Sequence, residues 1–99
     1  DNKGGLKIND WEIFNSENIE GISITIDDNK GGLKITNIYN PKGNYTNEDI
    51  TTLTDRITNR SIIGGDFNAH HQAWGCNRSC VAGEMVLNFC EDNNLVILN

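Results

Sequence analysis

Residues 21–27 place Ile22, Ile24 and Ile26 at alternate positions, the period of two that a half-buried strand requires. Residues 28–32, Asp-Asn-Lys-Gly-Gly, are turn chemistry, and residues 33–39 return as a second apolar-rich run. The two runs are expected to pair antiparallel. A two-stranded hairpin is marginal in water and needs further strands or helices against one face. The rest of the chain must therefore supply that cover. Pro41 ends the second strand, because proline has no N–H to give a ladder.

The remaining segments read as those partners. Thr46 with Asp49 three residues later resembles a capping box, and Ile50, Leu53 and Ile57 follow at helical spacing. Residues 61–63 form a short apolar strand running into Gly64, Gly65 and Asp66. A second helix is expected over residues 82–92, where Ala82, Met85, Val86, Phe89 and Cys90 make one face. Residues 6–8 read as a short first strand and residues 95–99 as a last, buried one. Strand pair, helix, strand, helix, strand is an α/β (or α+β) layered pattern. The octapeptide DNKGGLKI at residues 1–8 recurs unchanged at 28–35. Two copies do not make a solenoid, and the repeat reads as a neutral duplication.

With 99 residues, the chain is one domain or part of one. Both ends fall in apparent structure, so part of a domain is the expectation. No stretch is long and apolar enough to span a membrane, and no membrane partner is expected. Fourteen acidic residues against eight basic give a net charge of −6, which disfavours a non-specific grip on a phosphate backbone. An acidic chain can still act on phosphates if a bound cation meets them first. Cys76, Cys80 and Cys90 are odd in number and lack framework spacing, which suits a reduced, intracellular protein.

The polar chemistry is concentrated between residues 62 and 75, IIGGDFNAHHQAWG. Apolar residues lead to Asp66, after which Asn68, His70 and His71 project from the carboxyl end of a buried strand, where open α/β sheets place ligands. Asp66 and Asn68 are two apart, so in extended geometry both side chains point the same way. A carboxylate beside an amide donor suits hydrolysis at phosphorus: the acid orients water and the amide donates to a developing anionic oxygen. The plainer reading makes both of them turn residues with Asx hydrogen bonds. Trp74 and Tyr39 likewise read first as packing residues.

Gly65-Asp66-Phe67-Asn68, followed by Ala-His-His-x-x-Trp-Gly, resembles the endonuclease/exonuclease/phosphatase superfamily. More narrowly it is similar to the endonuclease domain attached to reverse transcriptases of non-LTR retrotransposons. The strand ending in Tyr39-Asn40-Pro41, the helix from Gly83 to Phe89 and the run at 95–99 match that family in order. The resemblance implies a DNase I-like fold, a two-sheet sandwich flanked by helices, and a Mg²⁺- (or Mn²⁺-) dependent phosphodiesterase that nicks DNA. It implies Asp66, Asn68 and Tyr39 as catalytic residues. Asp66 orients the attacking water, Asn68 holds the scissile phosphate, and Tyr39 donates to one of its oxygens. His70 and His71 belong to the subgroup's signature and shape the substrate rim or support the loop. A reverse transcriptase domain in the parent polypeptide and a nuclear location are further expectations.

Two departures stand out. The family's early metal-binding glutamate and its late Ser-Asp-His element match nothing in these 99 residues, and Glu12, Glu17 and Glu20 lie in the wrong context to replace the glutamate. The chain alone is therefore expected to be inactive, with no metal ligand assigned in it. Three alternatives stay open: a phosphatase or phosphodiesterase of the same superfamily acting on lipid or small-molecule phosphates, a small zinc module built from His70, His71, Cys76 and Cys80, and a non-catalytic remnant.

Overall fold

The computed structural model describes residues 7–98. Leu6, most of the first octapeptide copy and Asn99 lie outside the described residues. Strands β1 (Lys7–Asn15), β2 (Glu20–Asp28) and β3 (Gly31–Tyr39) form an antiparallel meander. Helix α1 (Asn47–Thr54) crosses over to β4 (Ser61–Asp66), which runs parallel to β3. Helix α2 (Val81–Asp92) follows a short 3-10 turn at Gln72–Trp74. Sheet order is β1-β2-β3-β4, so the described residues are a mixed α/β unit of one sheet and two helices.

Both helices cover the same sheet face. Phe14 of β1 and Ile38 of β3 join Leu53 of α1 and Ala82, Val86, Phe89 and Cys90 of α2 in one buried cluster, with Ile19 and Tyr45 from the loops. Ile38 shares its face with Thr36, and register puts Ser23 opposite Thr36. Those two buried hydroxyls lie 2.7 Å apart and satisfy each other, which removes the penalty of burying them singly. The isoleucines of β2 consequently point the other way. Ile22, Ile24 and Ile26 share the second face with Trp11 and Ile13, which are 62% and 72% exposed. The period of two correctly marks a strand; the richer apolar face is the one the helices leave bare.

Helix α1 begins as its sequence predicts. Thr46 Oγ1 accepts the Asp49 N–H at 3.1 Å, and Asp49 Oδ2 accepts the Thr46 N–H at 2.8 Å. Asp49 Oδ1 also accepts the Asn18 N–H at 3.0 Å, so one buried carboxylate ties the β1–β2 turn to the helix. Burial pushes the Asp49 carboxyl up, but the N–H groups of Thr46 and Asn18 outweigh it and hold the group below its ordinary value. The helix closes at Thr54, so Ile57 packs on the core from the following turn rather than from the helix.

Two expectations need correction. The first strand is nine residues long, not the short run ending at Ile8. A register shift between Ile8 and Asp10 breaks the alternation, so Ile8 and Trp11 reach the same face three residues apart. Residues 95–98 form no strand. A strand exists only by pairing, and no described strand pairs with this run. Instead the Leu95 N–H bonds the Cys90 carbonyl at 2.8 Å, closing α2, while Val96 and Leu98 stand 82% and 90% exposed.

Candidate active site

Parallel pairing of β3 and β4 sets their carboxyl ends side by side, with Tyr39 in register with Asp66. Residues in register on adjacent strands point to the same face, so phenol and carboxylate stand on one side of the sheet edge. The Asn40 N–H donates to the Asp66 carbonyl at 3.0 Å and carries the pairing one residue past the strands. Gly65 makes the approach possible. Its φ of +127° is outside the range L side chains favour, and a Cβ there would run into the Ile38 carbonyl.

Beyond Asp66 the extended geometry expected for Asn68 does not hold. Asp66 Oδ1 accepts the Asn68 N–H at 3.0 Å, and Asn68 takes a left-handed conformation at φ 47°. This is the Asx turn of the plainer reading, and it redirects the amide instead of removing it. The Asn68 carboxamide turns over the 40–44 loop, with its Nδ2 3.3 Å from where a Cβ on Gly43 would stand. Asp66 and Asn68 are exposed and Tyr39 is 48% exposed, so all three are open to a ligand.

Two residues that sequence reasoning passed over hold this arrangement. Asn40 is fully buried; its Oδ1 accepts the N–H groups of Lys42 and Gly43, each at 2.9 Å, and its Nδ2 donates to the Asn44 carbonyl at 2.7 Å. An Asn directly before a Pro was the available signal. The buried Tyr45 hydroxyl donates to the Phe67 carbonyl, pinning the loop between Asp66 and Asn68, and burial pushes its pKa above the ordinary tyrosine value. Nothing in the spacing marks Tyr45.

The two histidines part company. His71 Nδ1 accepts the Ala73 N–H at 2.9 Å, so Nε2 carries the proton toward Glu84 Oε1, also at 2.9 Å. Its ring lies 5.2 Å from the Trp74 ring, and Trp74 Nε1 donates to the Ala69 carbonyl. His71 thus supports the loop. His70 is exposed at the rim, and Gly83 of α2 lies against its carbonyl so closely that no Cβ fits between. That contact seats the loop on α2.

A divalent ion needs several ligands aimed at one point. Among the described residues no group of three or more His, Cys, Asp or Glu side chains does so, and the four residues of the zinc reading are not gathered on a common point. The described residues by themselves do not fit a metal, and no step is drawn through one.

A family model described as endonuclease-reverse transcriptase matches residues 33–99, which spans β3, α1, β4 and α2. The chain is 33% identical over 57 residues to the RNA-directed DNA polymerase from mobile element jockey of Drosophila melanogaster. That match covers 57% of this chain and 6% of the relative. No solved structure matches the chain.

Proposed function

The chain belongs to the endonuclease–reverse transcriptase family, and on that premise we propose that it is one wall of a phosphodiester-cleaving site that nicks DNA for a retrotransposon. The observation that carries the reading is the lateral pairing of Tyr39 with Asp66, closed by the turn to Asn68. A carboxylate and a phenol then stand in register at one exposed strand end, with the Asn68 carboxamide two residues beyond. Asp66 orients the attacking water through its remaining oxygen. Tyr39 and Asn68 donate to non-bridging phosphate oxygens as negative charge builds on them. The same donors suit any phosphoester, and the family favours DNA.

The proposal includes a DNase I-like sandwich, in which a second sheet from the parent polypeptide covers the bare face around Trp11, Ile13 and Ile24. It keeps Mg²⁺ (or Mn²⁺) as cofactor of the whole domain, held with ligands from outside the described residues. The roles of Asp66, Asn68 and Tyr39 do not pass through it. A reverse transcriptase in the same polypeptide and a nuclear location complete the reading.

The test compares substrates. The endonuclease domain of the parent polypeptide, supplied with Mg²⁺, is expected to nick supercoiled plasmid and to leave inositol phosphates intact. The 99-residue chain alone is expected to do neither. Release of phosphate from inositol phosphates without nicking contradicts the proposal and favours the small-molecule phosphatase reading. Nicking by the 99 residues alone that Asp66→Ala abolishes contradicts the proposed need for further parts.

A further inference from the structure

Cys76 and Cys80 have no part in the proposed cleavage, yet they line one open concavity of about 530 Å³ together with His70 and Arg78. The backbone brings them to the same place: the Cys80 N–H donates to the His70 carbonyl at 3.0 Å, and the Cys76 N–H to the adjacent His71 carbonyl at 3.2 Å. Their sulfurs follow. Cys80 Sγ accepts the His70 N–H and the Gly83 N–H, each at 3.4 Å, while Cys76 Sγ lies 3.8 Å from His70 Nδ1. Both thiols thus lie along His70, Cys80 at its main-chain N–H and Cys76 at its ring; both are half-buried, and only three residues separate them. Cys90, by contrast, is buried in the core.

The two thiols are chemically unequal. Hydrogen bonds from the His70 and Gly83 N–H groups hold the Cys80 thiol below its ordinary value, whereas burial pushes Cys90 up. A Cys80 thiol held toward its ionised form beside an open concavity is the group that a small oxidant meets first.

We propose that Cys80 and Cys76 form a peroxide-sensitive dithiol, with Cys80 the thiol that peroxide oxidises, Cys76 the resolving thiol and His70 the acceptor of the Cys76 proton. Cys80 gives its proton to solvent and its sulfur attacks hydrogen peroxide; the S–O bond forms, the O–O bond breaks, and the hydroxide that leaves takes up the proton released from Cys80, giving the first water. The Cys76 thiol gives its proton to His70 and attacks Cys80 Sγ. The S–S bond forms as the S–O bond breaks, and the departing hydroxide is neutralised through solvent by the proton that His70 took up, giving the second water. Two thiols and one peroxide become one disulfide and two waters. The disulfide fixes the loop whose other side carries His70 and His71, so oxidation bears on the rim next to Asp66 and Asn68.

The reduced 99-residue chain is treated with hydrogen peroxide at neutral pH and read by intact and peptide mass. The expected product has lost two hydrogens, with Cys76 and Cys80 joined inside one chain. Iodoacetamide is expected to label Cys80 about threefold or more faster than Cys76 in the folded chain, a preference that urea erases. Cys76→Ser is expected to leave Cys80 as a sulfenic acid that dimedone traps. His70→Gln, which keeps a polar side chain, is expected to slow disulfide closure without changing the Cys80 labelling rate. Oxidation of Cys80 to sulfinate in the wild-type chain, a disulfide only between chains, or equal labelling of the two thiols overturns the proposal.

Discussion

Asn40 carries three hydrogen bonds from a position with no solvent exposure, and it sits between the two strand ends that hold Tyr39 and Asp66. Removing its carboxamide leaves the Lys42 and Gly43 N–H groups and the Asn44 carbonyl to find water. Asn40→Ala is expected to cost about 2–3 kcal/mol, read as a lower urea midpoint; a midpoint shift near zero contradicts the tie. Gly65 is constrained differently. Gly65→Ala must adopt a positive φ and push on the Ile38 carbonyl, for about 2–4 kcal/mol. Gly64, where an added Cβ meets nothing within 4 Å, is the internal control, and Gly64→Ala is expected to be mild. Asp66 was legible in the sequence because an apolar run ends on it. Asn40 and Tyr45 were not, because what they hold lies across loops that spacing cannot join.

Among the elements, order that is local is legible in the sequence. The Thr46–Asp49 box, the β2–β3 hairpin and α2 all depend on neighbours within a few residues. Order that depends on a partner is not legible in this way. β1 hides behind a bulge that upsets its period, and residues 95–98 carry strand-like composition without a described strand to pair with. The hairpin also has a tie that no local pattern announces. Arg60 grips Asp28 with two bonds of 3.0 Å and reaches the Gly31 carbonyl at 2.9 Å, clamping the β2–β3 turn to the start of β4. Hydrogen bonds from Arg60, then from the Lys30 N–H, lower the Asp28 pKa from 3.8 to about 2. A depressed carboxylate contributes fully above its unfolded value and loses that contribution as pH falls through the folded one. The clamp should therefore hold above pH 3.8 and fade toward pH 2. Asp28→Asn is expected to flatten the acid limb of a stability–pH curve in that window; an unchanged limb contradicts the clamp.

For the whole molecule the decisive feature is asymmetry. One sheet face is buried under two helices; the other leaves Ile8, Trp11, Ile13 and Ile62 more than half exposed. A continuous apolar face of that kind promotes association unless something covers it. The 99-residue chain is expected to self-associate in sedimentation velocity, and Trp11→Glu with Ile13→Thr is expected to reduce that without loss of helical circular dichroism. Unchanged association in the double variant contradicts the role given to this face. The net charge of −6 fits the same picture, since these residues alone offer DNA little electrostatic attraction.

The central claim is that the paired strand ends act on a phosphodiester. Single-turnover nicking of supercoiled plasmid by the parent endonuclease domain, compared with its Asp66→Ala, Asn68→Ala and Tyr39→Phe variants, tests it most directly. Asp66→Ala is predicted to slow nicking about 10²–10⁴-fold, and Asn68→Ala about 10²–10³-fold, with folding preserved in circular dichroism. An Asp66→Ala domain that stays folded and nicks within about threefold of the wild type would contradict the account.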